Sequence, residues 1–177
     1  MNISILKNII LRYGYCLGIG FAIAASSLSK AHEVNPKEAT LASNEKFVAP
    51  NSGGVTTVRS HSPIITRQQV QIYPGISTAS AGSQQLSMNR IILPPGMKGL
   101  RHMHKDTETV IYIIEGNART LIGEKGEVVV DNKAGDFIFI PANVWHQPTN
   151  VSNDRVVAIE VRADADDQQN VILSPHQ

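Results

Sequence analysis

Three observations predict an all-β fold, a sandwich or closed barrel, for the bulk of this 177-residue chain. Short runs rich in β-branched and aromatic residues recur from Thr66 onward. Gly, Pro, Asn and Asp separate them at regular spacing, and no apolar run keeps a helical period over a helix's length.

The first thirty-one residues are of another kind. Lys7 and Arg12 precede an apolar run from Tyr13 to Ala25, and Ser29 and Ala31 put small residues where a signal peptidase reads. A basic start, an apolar middle and a small-residue cleavage site together mark a secretory signal peptide, residues 1–31. The competing reading is a retained anchor, but the unbroken apolar run is short for the roughly 20 residues a span needs. The expected location is the periplasm or the exterior, with no stable membrane insertion after cleavage. Residues 32–65 are polar, carry Pro36, Pro50, Pro63 and the turn-rich stretch Asn51 to Gly54, and read as a flexible lead-in.

Residues 66–177 read as one β-barrel domain. Gln69 to Tyr73 alternates and stops at Pro74; Leu86 to Leu93 stops at Pro94. Val110 to Ile114 is β-branched and aromatic, with a turn at Gly116. Ala118 to Ile122 turns at Gly123 toward Glu127 to Val130, Phe137 to Ile140 ends at Pro141, and Val156 to Val161 closes the series.

Charge and cysteine usage exclude several classes. Removing residues 1–31 takes away Lys7, Arg12 and Lys30 and no acid, turning the formal charge from +1 to −2. Such a chain offers no basic field to nucleic acid or anionic lipid. The single cysteine, Cys16, leaves with the signal, so no disulfide framework holds the fold and burial must do so.

The chemistry is concentrated in two stretches. The first runs from Gly96 through His102 and His104 to Glu108; the second runs from Gly135 through Pro141 and Asn143 to His146 and Asn150. In an extended segment His102, His104 and Glu108 share parity and so one face, and His146 would join them from a partner strand. Three imidazoles and a carboxylate without thiolate suit one divalent transition metal, Fe, Mn, Co, Ni, Cu or Zn, and leave open positions. Tyr112 shares the parity of Glu108, which makes it a candidate proton donor or substrate contact as well as a core residue. Gln147 and Asn150 are candidate donors that orient His146, though Asn150 equally suits a turn cap. Trp145 fits either the barrel mouth or a packing anchor. His32, His61 and His176 lie in polar ends and read as solvated.

These two stretches resemble the paired motifs of the cupin superfamily, and the likeness covers about residues 68–175. The first motif is Gly, five residues, His-x-His, three or four residues, Glu, six residues, Gly. The second is Gly, five residues, Pro-x-Gly, two residues, His, three residues, Asn. Two departures stand out. Asn143 replaces the glycine of the second motif, and Asn tolerates positive φ best among the other residues. Seven residues, not six, separate Glu108 from Gly116, so counting back from Gly116 lands on Thr109. Parity with the histidines favours Glu108 unless the connecting turn resets the register or a bulge aims Thr109 inward. The phrases around both motifs look like those of single-domain bacterial cupins. That resemblance implies a double-stranded β-helix of jelly-roll type, His102, His104, Glu108 and His146 as metal ligands, and a small-molecule substrate. It implies dioxygenase, isomerase or cyclase, or decarboxylase chemistry, against the alternative of a non-catalytic small-ligand or metal-binding protein. It also implies unpaired edge strands that a homodimer, or the lead-in, would cover.

Overall fold

The computed structural model describes residues 44–49 and 51–177. The expected signal peptide, His32 and the first part of the lead-in lie outside the described residues. In chain order the described strands are β1 (Glu45–Val48), β2 (Thr56–Arg59), β3 (Ile64–Ile65), β4 (Gln71–Ile76), β5 (Ser87–Leu93), β6 (His102–His104), β7 (Thr109–Glu115), β8 (Asn117–Ile122), β9 (Val128–Lys133), β10 (Phe137–Ile140), β11 (His146–Thr149), β12 (Val156–Arg162) and β13 (Val171–Leu173). One short helix, α1 (Thr78–Ala81), sits between β4 and β5, its start capped by the Ser77 hydroxyl.

The strands form a six-stranded sheet ordered β10-β7-β12-β5-β4-β3 and a five-stranded sheet ordered β13-β6-β11-β8-β9, with β1 and β2 in a separate pair. Every pairing is antiparallel. From β5 onward the chain changes sheet at nearly every connection, which is the jelly-roll, all-β architecture expected.

Alternation explains which face each strand buries. In β12, Val156, Ala158, Glu160 and Arg162 are buried, while Val157, Ile159 and Val161 take the opposite face. The core joins Val70, Ile72, Leu93, Ile113, Ala118, Val156 and Ala158, with Ile91, Met97, Ile111 and Ile138 packed against it. Burying each of the larger aliphatic side chains stabilises the fold by roughly 1.5–3 kcal/mol. The tight turn from β7 into β8 demands glycine: Gly116 has φ 83°, and a Cβ there would collide with the Arg155 carbonyl.

Two regions differ from their sequence reading. The described part of the lead-in holds the β1–β2 hairpin, turned through Asn51, Gly53 and Gly54, all at positive φ. Turn residues that read as a flexible segment are here the loop of a hairpin. Tyr112 lies on the outer face of β7, where its ring stacks on Phe137 at 4.6 Å between centroids. That face is apolar and open: Val110, Tyr112, Ile114, Phe137 and Phe139 are all exposed.

Candidate metal centre

His102 and His104 sit two residues apart on β6, so both rings leave the same face, with Met103 on the other. His146 is the first residue of β11 and lies directly opposite His102 in the antiparallel ladder. One ring nitrogen from each of the three histidines lies within 4.8 Å of the others. Ring centroids are 4.2 Å apart for His102 and His146, 4.9 Å for His104 and His146, and 5.1 Å for His102 and His104. All three side chains are buried.

Hydrogen bonds decide which nitrogens face the centre. His102 Nδ1 lies 2.9 Å from the Leu100 carbonyl and His146 Nδ1 lies 2.9 Å from the Val144 carbonyl. A carbonyl only accepts, so each Nδ1 carries the proton and each Nε2 keeps a bare lone pair. His104 Nδ1 lies 2.5 Å from the Thr109 hydroxyl, and its Nε2 is buried with no protein partner. A buried ring nitrogen without a partner is what a metal ligand looks like before its ion is counted.

The electrostatics agree. Burial pushes the His102 imidazole well below the ordinary histidine range, with repulsion from His146 adding to it. His104 is also strongly depressed, first by burial and then by the Arg162 charge. For His146 burial again dominates, partly offset by the Val144 carbonyl and the Glu160 carboxylate. The rings are therefore neutral at physiological pH, the form that binds a metal.

His102 and His146 border a cavity of about 50 Å³ that also touches Val70, Ile72, Leu93, Ile113 and Glu160. Its walls are mostly aliphatic, with His102, His146 and Glu160 among its polar groups.

The first motif's acid does not join this group. Glu108 is exposed, whereas Thr109 is fully buried and takes the inward position beside His104. The cause is the turn. Asp106 adopts φ 54° and is clasped by Asn143, whose side-chain oxygen accepts from the Asp106 amide while its amide group donates to the Asp106 carboxylate, both at 3.1 Å. After this turn the inward parity changes from even in β6 to odd in β7, where Thr109 and Ile113 point inward. The spacing anomaly before Gly116 is the sequence trace of that reset.

The other candidates separate cleanly. Tyr112 faces away from the cavity, as its parity with Glu108 now requires. Gln147 is buried on the side of β11 opposite His146, donating to the Gly99 carbonyl at 2.7 Å and accepting from Arg101 at 3.2 Å. It braces the strand and does not face the histidines. Asn150 donates to the carbonyls of Leu93, Pro94 and Asp154, which makes it a loop clasp. Asn143 holds φ 63°, the left-handed conformation that its stand-in for glycine requires. Trp145 is half-buried, and His61 and His176 are exposed.

Glu160 and Arg162 are the site-adjacent residues that sequence reading passed over. They form a buried ion pair at 2.9 Å, with side chains 7% and 2% exposed. Two charges on the inward parity of an otherwise apolar strand were the available signal.

Comparison with known proteins places this arrangement. Residues 89–162 match the cupin domain family. Over 68 residues the chain is 41% identical to an uncharacterised protein of Methanocaldococcus jannaschii, covering 38% of this chain and 51% of that one. Over 137 residues it is 26% identical to a probable germin-like protein, subfamily 2 member 5, of Arabidopsis thaliana, covering 74% and 62%. The chain thus spans about half to three fifths of the length of these curated relatives. Among solved structures, the oxalate decarboxylase of Lactobacillus farciminis in complex with formate superposes with a TM-score of 0.54 at 19% identity, over 63% of this chain and 33% of that one. The oxalate decarboxylase of Bacillus subtilis, studied for its Mn(II) centres, gives 0.54 at 23% identity, over 63% and 29%. An uncharacterised conserved protein of Klebsiella pneumoniae with a double-stranded β-helix domain gives 0.51 at 18% identity, over 72% and 85%. At these identities the likeness to solved structures is one of fold. With the family match spanning both histidine-bearing strands and the antiparallel barrel built around them, residues 89–162 of this chain form a cupin-type domain.

Proposed function

We propose that this chain is an exported, metal-dependent cupin enzyme that holds one divalent transition ion through His102, His104 and His146 and acts on a small oxygen-rich molecule. The observation that carries this reading is the convergence of three buried, neutral imidazoles, His104 with a ring nitrogen that has no protein partner and His102 and His146 lining a cavity. An ion held there supplies a Lewis acid with open coordination positions. The chain's own residues set its surroundings. The Leu100 and Val144 carbonyls lock two tautomers, Thr109 fixes the third ring, and the aliphatic walls exclude bulk water.

With Glu108 outside the cluster, the donors are imidazoles alone, which suits Zn, Cu, Fe or Ni better than Mn. The likeness to oxalate decarboxylases keeps decarboxylation among the candidate reactions beside dioxygenation and isomerisation or cyclisation. Export rests on the residues 1–31 pattern and is tested by sequencing the mature N-terminus, where a chain still starting at Met1 would sink it. Elemental analysis of protein isolated from its native compartment tests the centre: near-stoichiometric transition metal is expected, and none in folded material would end the reading.

A second reading has one observation in its favour. Neither Glu108, Tyr112 nor Gln147 faces the cavity, so the acid–base groups expected beside the metal are not those the sequence named. A protein that carries metal or a small ligand without turnover fits that scarcity. His102→Ala separates the two, since an enzyme loses turnover of its substrate and a carrier loses metal retention alone.

A further inference from the structure

The inner face of the five-stranded sheet carries one unbroken row from the histidines to the sheet's open edge. His102 lies opposite His146, His146 opposite Ile122, and Ile122 opposite Val128. Residues paired across strands share a face, so all four side chains point the same way. A second row beside it runs from Pro148 through Thr120 to Val130. Pro148 and Thr120 line the cavity together with His102 and His146.

Exposure rises along both rows. His102 and His146 are buried and Ile122 is half-buried, yet Val128 is 55% exposed. Thr120 is 9% exposed and Val130 36%. Valines on the inward face of a barrel strand are ordinarily buried, so these two mark where the barrel stands open. The topology supplies the cause. β9 ends the five-stranded sheet, β10 ends the six-stranded one, and no ladder joins them among the described residues. The turn at residues 134–136 ties the two strands at one end, and Val128 lies at the other end, in the row of His146. β10 adds Ile138 and Ile140 to the cavity wall, so the opening is apolar from both sides.

Resting on the metal-centre reading above, we propose that the substrate is amphipathic, with an oxygen-bearing head at the histidines and an apolar arm lying along Ile122, Val128 and Val130. Two strand spacings separate His146 from Val128, about 10 Å. The cavity of about 50 Å³ holds only a few water-sized groups, enough for the head and not for the arm. A second copy of the chain fits this edge less well. A strand added along β9 would satisfy its backbone in the plane of the sheet and leave the inward valines uncovered.

The test loads the full chain with cobalt(II) and titrates straight-chain hydroxamates from acetohydroxamate to octanohydroxamate, followed by visible absorption. The head is constant, so only the arm varies. Affinity should rise by up to about 4-fold per methylene laid on the shelf, and octanohydroxamate should bind at least ~10-fold tighter than acetohydroxamate. Val128→Asp and Val130→Asp should flatten that rise while cobalt and acetohydroxamate bind as before. Val128→Thr, close in shape, should weaken the rise and carries the test if the aspartate variants do not fold. Phe137→Ser, on the outer apolar face, should leave it intact. Cobalt retained with no dependence on arm length overturns the inference and leaves the metal centre standing, whereas no cobalt uptake removes both. A rise that survives the valine changes, or that Phe137→Ser abolishes, puts the arm elsewhere and overturns the inference too. So does a dimer in sedimentation that Val128→Asp dissolves, which would give this edge to a second copy.

Discussion

The two histidine-bearing stretches follow the same kind of pattern in sequence and meet different fates in the fold. From Pro141 to Asn150 the motif positions do what their spacing suggests: Asn143 turns the chain at positive φ, His146 points inward from the start of β11, and Asn150 clasps the following loop. From His102 to Thr109 the pattern holds only as far as the end of β6. His102 and His104 share a face because they share a strand. Glu108 lies beyond a turn whose Asp106 is left-handed, and the next inward residue is Thr109. Strand parity transmits direction within one strand and carries none across a turn, because each turn residue adds its own rotation.

The comparison is best broken at the histidines themselves. His102→Ala or His146→Ala should lower metal affinity by at least ~100-fold, beyond what losing an outer hydrogen bond to a ligand does. Equilibrium dialysis with elemental analysis measures it. If either variant retained full metal, the convergence of the two stretches on one ion would be refuted.

Acid should act next, on the metal-free protein. The folded-state pKa values of His102, His104 and His146 all lie below their unfolded values. The unfolded chain therefore binds more protons, and stability is lost as pH falls below about 6.5, the ordinary histidine value. Each ring that stays neutral in the fold contributes up to about 1.4 kcal/mol of loss per pH unit. Above pH 7 the three rings should add no pH dependence. Chemical denaturation of wild type and of His104→Gln at pH 7.5 and 5.5 checks this, and the variant should show the shallower loss.

Asn143 sharpens the role of the clasped turns. Asn143→Ala should destabilise the fold by about 1–2 kcal/mol, through left-handed strain and the lost bonds to Asp106. Asn143→Gly keeps the conformation and should lose less. The smallest effect belongs to Glu108→Gln: an exposed, screened carboxylate outside the cluster should change metal affinity by no more than ~2-fold. A tenfold loss there would restore Glu108 to the centre and make the turn more mobile than described.

Much of the barrel was legible beforehand. Phe137 to Ile140 was read with its observed bounds, and the strands after Leu86, Val110, Ala118 and Val156 were found within a residue or two at each end. Long β-branched runs between Gly and Pro leave little choice of structure. β3, β13 and the β1–β2 hairpin escaped notice because two- to four-residue strands show no period, and pairing partners define them. At the site, the three histidines were visible from spacing. Glu160 and Arg162 were not, since they match no motif and matter only through what lies across the sheet.

By itself the sequence determined that this chain makes an all-β fold and that His102, His104 and His146 are the residue types that could hold a metal. Alternation and turn chemistry act over a few residues, so they can be read from a few residues. Only the tertiary structure decided that Thr109 replaces Glu108 at the centre, that Tyr112 faces outward, and that a buried arginine stands beside the ligands. Those facts depend on how a turn rotates the chain and on which strand ends up opposite, and neither is written in the spacing along one segment.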